Sequence, residues 1–215
     1  MTASPNWVFF DCDSTLSAME GVDELARLRS PEILAEVEGL THQAMNGEIS
    51  LDEVFGRRMD LVRPSRQECQ DVGRQYIETV ESSAKEVLQR LRDQEWNTVI
   101  LSGGFVPVIR PLAEFLGVER IEAVDLQFDE QGRYVDFERA HPNTRNGGKP
   151  KIIARLREEW EIQRAVMVGD GISDLETRDV VELFVGFGGF VEREKVRTES
   201  SIYLTSLADL PAVMP

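Results

Sequence analysis

The chain has 215 residues, with apolar and charged fractions of 41% and 29% that are ordinary for a globular protein, so it can bury a sizeable core as one domain or as one domain carrying an insertion. Its 24 basic and 39 acidic side chains leave a formal net charge of −15, which opposes nonspecific binding to nucleic acid or to an anionic membrane. An anionic substrate would therefore need a local positive site to draw it in.

The first predicted element is a strand. Trp7-Val8-Phe9-Phe10 is a short run of aromatic and β-branched residues that suits a covered, pleated surface. It runs straight into Asp11-Cys12-Asp13-Ser14-Thr15, so the chain is expected to leave the sheet at Asp11. In open α/β sheets ligands sit beyond the carboxyl ends of strands, which is where Asp11 and Asp13 fall. Two carboxylates so close repel each other when buried, and a divalent cation with a taste for oxygen, such as Mg²⁺, relieves the repulsion. An Asx turn or a helix N-cap is the plainer use of the same residues.

From Thr15 to about residue 80 every signal is helical. Gly21 to Leu28 has apolar residues at helical spacing, and Ser30-Pro31 is a helix start with Pro at the first helical position. Ser50-Leu51-Asp52-Glu53 is a capping-box pattern, and Arg63-Pro64-Ser65-Arg66 ends one helix and opens another through Tyr76. The stretch reads as a small helical bundle inserted after the first strand.

Beyond residue 84 helices alternate with short apolar strands: a helix around Leu88, the strand Thr98–Leu101, a helix closing at Gly117, and a weak strand at Ala123-Val124. Leu126–Phe128 and Tyr134–Phe137 flank Asp129-Glu130-Gln131-Gly132, which reads as a hairpin turn. Lys149 is expected just before a helix through Leu156; then come the strand Ala165–Val168 and two short strands at Leu183–Val185 and Ile202–Leu204. This alternation implies a parallel sheet covered on both faces. Cys12 and Cys69 are the two cysteines, with Cys12 in the active loop; that usage implies no structural disulfide and a reducing, cytoplasmic setting. No apolar run has the length of a membrane span, and the N-terminus lacks a signal-peptide pattern.

Three predicted strands end in polar residues: Asp11-Cys12-Asp13, Ser102-Gly103-Gly104, and Gly169-Asp170-Gly171-Ile172-Ser173-Asp174. Together with Lys149 they would gather four carboxylates, one ammonium, hydroxyls and glycine amides at one sheet edge, an inventory for Mg²⁺ and phosphate. Gly147-Gly148-Lys149 is not a Walker A loop, because Asn143 holds the place of its first glycine and Pro150 that of its Ser or Thr. Leu101-Ser102-Gly103 is not a nucleophile elbow, because Ile100 takes the leading glycine position.

Read in order, those four segments resemble the motifs of the haloacid dehalogenase superfamily of phosphotransferases. The resemblance spans nearly the whole chain. It implies a Rossmann-like α/β core made of residues 1–15 and 80–215, with helices on both faces of a parallel sheet, and a helical cap made of residues 16–79. A closer resemblance, to the phosphoserine phosphatase family within that superfamily, rests on Glu20 to Ala26, on Ala44-Met45-Asn46-Gly47 leading to Arg57-Arg58, and on Gly186-Phe187-Gly188-Gly189. Leu51 stands where many members carry an aromatic residue, Ser173 where many carry Asn or Thr, and Glu81-Ser82-Ser83-Ala84 replaces the usual Pro-Gly lead into the core helix.

The resemblance implies Asp11 as nucleophile, Asp13 as general acid and base, and Lys149 as an essential cation. It implies Mg²⁺ on Asp11, Asp13 (through its backbone carbonyl) and Asp170, with Asp174 behind them orienting Lys149 or metal-bound water. Ser102, Gly103, Gly104, Lys149 and Ser173 would bind phosphate, while Glu20, Met45 and Arg58 would hold an amino acid. A zwitterion needs one fixed anion and one fixed cation, and Arg grips carboxylate bidentately. The expected substrate is a small phosphate ester, O-phosphoserine, hydrolysed in serine biosynthesis by a monomer or homodimer. The alternatives are the same chemistry on another small phosphomonoester, phosphate transfer to an alcohol such as homoserine, or a non-catalytic phospho-ligand-binding protein.

Overall fold

The apolar run that opens the chain forms β1 (Asn6–Phe10) near the middle of the sheet in the computed structural model, which describes residues 5–45 and 48–215. Four helices follow: α1 (Gly21–Arg27), α2 (Pro31–Met45), α3 (Leu51–Val62) and α4 (Arg66–Glu78). Then come α5 (Ala84–Asp93), β2 (Trp96–Phe105), α6 (Val106–Leu116), β3 (Arg120–Val124), the hairpin β4 (Leu126–Phe128) and β5 (Tyr134–Phe137), α7 (Gly148–Glu159), β6 (Arg164–Gly169) and α8 (Ile172–Leu175). The chain ends with β7 (Leu183–Phe187), α9 (Glu194–Glu199) and β8 (Ile202–Leu204).

The main sheet has six parallel strands in the order β3-β2-β1-β6-β7-β8. The order reverses at β1, so the ends of β1, β2 and β6 lie side by side, as the convergence of the three polar segments requires. Side chains alternate across the pleat. Val8 and Phe10 point to the face covered by α5, α6 and the four inserted helices, while Phe9 points to the face covered by α7 and α9. Each face buries a continuous apolar cluster, and burial of that area is the main driving force for the fold.

Local signals in the inserted region act as read. Pro31 opens α2, and Ser65 caps α4 by accepting the Glu68 N–H at 3.2 Å while the Glu68 carboxylate accepts the Ser65 N–H at 2.7 Å. Two expectations need correction. Strand β2 does not stop at Leu101 but runs through Ser102-Gly103-Gly104 to Phe105, with a register shift against β3 between Leu101 and Phe105. Lys149 does not precede α7; it lies in the first turn. There Gly148 lets the helix start against the 142–144 turn, since a Cβ at that position would meet the Pro142 carbonyl at 2.2 Å. No described helix is long and apolar enough to cross a membrane.

Candidate active site

Strand β1 delivers Asp11 at its end, with the Asp11 N–H still donating to the Val168 carbonyl of β6 at 2.9 Å. The chain then coils tightly: Leu16 and Ser17 both donate to the Cys12 carbonyl, and Ser14 takes a left-handed φ of 53°. This turn leaves Asp11 4% and Asp13 8% exposed. It also fixes the two hydroxyls that follow: Ser14 Oγ donates to Glu20 Oε1 at 2.7 Å, and Thr15 Oγ1 donates to Asp170 Oδ1 at 3.1 Å.

The Lys149 ammonium reaches from α7 into the gap between β1 and β6. It lies 2.8 Å from Asp11 Oδ1 and 2.5 Å from Asp174 Oδ1, with 4% of its side chain exposed. Burial alone would push the Lys149 pKa down, but the Asp11 and Asp174 carboxylates outweigh it and hold the group above its ordinary value, so Lys149 is a permanent cation. Asp174 is seated by backbone: its Oδ2 accepts the Gly171 N–H at 2.9 Å. Gly169 makes room for it, because a Cβ there would come within 2.2 Å of Asp174 Cγ.

Asp13 points the other way. Its Oδ2 accepts the Gly21 N–H at the start of α1 at 2.9 Å, and its Oδ1 accepts the Tyr76 hydroxyl of α4 at 2.7 Å. Burial and the nearby Asp11 charge push the Asp13 pKa up to about 7, against the restraining bonds from Gly21 and Tyr76. Asp170 is fully buried, and burial followed by Asp11 raises it to about 6, opposed by Arg193, whose Nε donates to Asp170 Oδ2 at 2.9 Å.

At the end of β2, Ser102 Oγ accepts the Gly104 N–H at 3.0 Å, and the Ser102 carbonyl accepts from the Asn143 amide at 2.8 Å. A Cβ on Gly103 would meet nothing within 4 Å, so this backbone borders open space. That space is a cavity of about 110 Å³ whose walls include Asp11, Asp13, Ser102, Gly103, Gly104, Lys149 and Ser173 on the sheet side, and Glu20 and Arg58 on the inserted helices. Arg58 is 8% exposed; its Nη1 donates to Thr41 Oγ1 at 3.4 Å, and its buried Nε has no hydrogen-bond partner. The side chain of Met45 lies outside the described residues. Leu51, Arg145 and Asn146 complete the rim. A larger surface groove of about 830 Å³, lined by Trp7, Trp96 and Trp160, lies at the opposite ends of the strands and contains none of these carboxylates.

Among the described residues, the site sets the carboxylates of Asp11, Asp13, Glu20, Asp170 and Asp174 against the cations Lys149, Arg58 and Arg193. Oxygens of Asp11, Asp170 and Asp174 lie within 4.8 Å of one another, all buried. This hard, oxygen-only set carries more negative charge than its ammonium and guanidinium neighbours offset. A divalent cation with a preference for oxygen fits it on charge and on donor chemistry.

Sequence reasoning singled out these five acids and Lys149, Arg58, Ser102 and the glycines, but among the residues that touch the carboxylates it did not single out Tyr76 or Arg193. Tyr76 sits in the apolar stripe of α4, where it reads as core. Arg193 stands in a polar stretch before α9 with no local pattern to mark it; only the fold brings it to Asp170 and to within 3.8 Å of Glu20.

The geometry agrees with what the chain is similar to. A family model for haloacid dehalogenase-like hydrolases matches residues 8–177. A phosphoserine phosphatase from Bos taurus is 32% identical over 209 residues, covering 96% of this chain and 92% of that one. One from Drosophila melanogaster is 33% identical over 206 residues, covering 94% and 76%. A phosphoserine phosphohydrolase-like protein from Francisella tularensis superposes with a TM-score of 0.86 at 25% identity, covering 98% and 100%. The chain belongs to the haloacid dehalogenase-like hydrolases, as a phosphoserine phosphatase-like member of that family.

Proposed function

We propose that this protein hydrolyses O-phosphoserine to serine and phosphate through an aspartyl phosphate on Asp11, with Mg²⁺ bound, and so acts in serine biosynthesis. One observation carries the substrate assignment. The cavity that holds Asp11 also presents a half-buried carboxyl group, Glu20, and a buried guanidinium, Arg58, whose Nε has no partner. A buried donor left unpaired is costly, and an amino acid's carboxylate would satisfy it. Glu20 would take the ammonium. The similarity to phosphoserine phosphatases supports the same reading.

The steps follow from the residues. An Asp11 carboxylate oxygen attacks phosphorus, and the bond from phosphorus to the serine oxygen breaks. Asp13, with a pKa near 7, gives its proton to the departing oxygen; it then takes a proton from the water that attacks the aspartyl phosphate, and phosphate leaves as the Asp11 carboxylate is restored. Lys149, Ser102 Oγ, Ser173 Oγ and the Gly103 and Gly104 amides bind the phosphate oxygens and offset the charge that develops on them. Asp174 keeps the ammonium of Lys149 in place through their 2.5 Å contact. Asp11, the Asp13 backbone carbonyl and Asp170 would hold Mg²⁺, which supplies further positive charge at the transferring phosphate when bound.

On this reading residues 16–79 act as a cap over the core of residues 1–15 and 80–215, excluding water from the cavity. Two buried free thiols, Cys12 and Cys69, suit a cytoplasmic enzyme. On this reading the enzyme acts as a monomer or homodimer. Leu51 and the exposed Arg145 at the rim favour a second reading, another small phosphomonoester or transfer to an acceptor alcohol. Phosphate release in Mg²⁺ from O-phosphoserine, beside ethyl phosphate and other phosphomonoesters and with homoserine added as acceptor, separates the two. Selective release from O-phosphoserine supports the first reading. Turnover of other esters with O-phosphoserine ignored supports the second.

A further inference from the structure

Asp13 is held from two directions by groups outside its own loop. The Gly21 N–H of α1 donates to Oδ2 and the Tyr76 hydroxyl of α4 donates to Oδ1. The terminal torsion of an Asp side chain is broad, so the plane of a carboxyl group is set by its hydrogen-bond donors rather than by rotamer preference. Two donors on two helices fix that plane. A Cβ on Gly104 would lie 3.7 Å from Asp13 Oδ1, so the oxygen that Tyr76 holds faces the glycine end of β2, on the phosphate-binding side of the cavity.

Tyr76 reaches Oδ1 through a gap that only glycine leaves. It is 1% exposed, and a Cβ at position 21 would sit 2.3 Å from its hydroxyl oxygen and 3.3 Å from the ring carbon that bears it. A buried tyrosine hydroxyl needs an acceptor, and a backbone carbonyl would serve for stability alone. The acceptor here is the carboxyl that must meet the ester oxygen.

We propose that Tyr76 is a positioning residue, whose hydroxyl, acting with the Gly21 N–H, holds the Asp13 carboxyl in the plane from which it protonates the leaving oxygen. The inference rests on the reading of Asp13 as the proton donor. It adds that the inserted helix α4 contributes to the chemistry itself, and not only to enclosure.

A leaving group that needs no proton separates this role from a structural one. The test compares kcat/KM, which reports events through departure of the leaving group, for two substrates: the alkyl phosphate monoester that wild type hydrolyses best, and acetyl phosphate, whose acetate departs unprotonated. The proteins are wild type, Tyr76→Phe and Asp13→Asn, with thermal unfolding measured alongside. Tyr76→Phe is expected to lose about tenfold or more in kcat/KM on the alkyl ester, mostly in kcat, as misplacing a general acid does. On acetyl phosphate it should stay within about twofold of wild type.

Equal losses on both substrates, or none on the alkyl ester while Asp13→Asn is inactive there, would overturn the role given to Tyr76 and leave the reading of Asp13 standing. An Asp13→Asn protein as active as wild type on the alkyl ester overturns that reading first. Should Tyr76→Phe fail to fold, Gly21→Ala displaces the same hydroxyl and is expected to give the same selective loss; an unselective one would count against the proposal.

Discussion

On the proposed reading Arg58 meets the substrate's carboxylate, and its surroundings in the fold prepare it for that. Burial pushes its pKa down, and Asp23, Glu20 and Asp13 restrain that fall. Its guanidinium is thus a cation kept in a poorly solvated place with one nitrogen unused. Arg58→Ala should lower kcat/KM for O-phosphoserine by about a hundredfold, because loss of a buried, hydrogen-bonded charge partner costs about 2–5 kcal/mol. Ethyl phosphate, which has no carboxylate, should lose far less; equal losses would show that Arg58 does not meet the amino-acid part. At this scale the sequence was legible wherever a chemical group follows directly on a strand end, as with Asp11, Asp13, Asp170 and Asp174. It was not legible at Tyr76 and Arg193, whose partners lie 63 and 23 residues away in the chain. Neither has a neighbour in sequence that announces the contact.

The helices α4 and α6 fix where Tyr76 stands. Gly73 lies at their closest approach, where a Cβ would meet the Val108 carbonyl at 2.5 Å and Pro111 Cγ at 2.7 Å. Gly73→Ala should push α4 off α6 and cost about 1–3 kcal/mol in an unfolding experiment, the usual range for overpacking. An unchanged unfolding midpoint would mean that the two helices separate without penalty. The helices themselves were readable because their signals are local: Pro31 at a first turn, the Ser65–Glu68 box, the apolar stripes. The end of β2 was not, because Ser102-Gly103-Gly104 looks like a turn by propensity. It stays in the strand because Phe105 still pairs with Val124 of β3, a constraint set by tertiary packing. The first turn of α7 was misplaced by two residues for a similar reason, since Gly148 fits a close backbone contact with residue 142 that no sequence window contains.

For the whole molecule the acidic balance matters most at the cluster of Asp11, Asp170 and Asp174. Asp13 and Asp170 have folded pKa values of about 7 and about 6, both raised above an unfolded carboxyl near 3.9. A raised carboxyl stabilises the metal-free fold below the unfolded value, and that contribution is lost as pH rises through the folded one. Metal-free protein should therefore lose stability between about pH 4 and pH 7 from these two groups. Mg²⁺ on the Asp170 carboxylate competes with its proton, so the rise in unfolding temperature on adding Mg²⁺ should be larger at about pH 8 than at about pH 5. A rise that is equal at both would contradict the account of the acidic cluster. The parallel order of strands was legible from the alternation of helices and apolar runs, and the convergence of three strand ends followed from it. The large tryptophan-lined groove was not foreseen, since strand pairing sets Trp96 beside β1 and the packing of α7 on the sheet sets Trp160 against Trp7. Whether Asp11 carries the phosphoryl group is read by acid-quenched mass analysis of protein mixed with O-phosphoserine and Mg²⁺. Wild type should show one phosphoryl group on the peptide that contains Asp11, and Asp11→Asn should show none and release no phosphate. Phosphate release by Asp11→Asn at the wild-type rate would contradict the account.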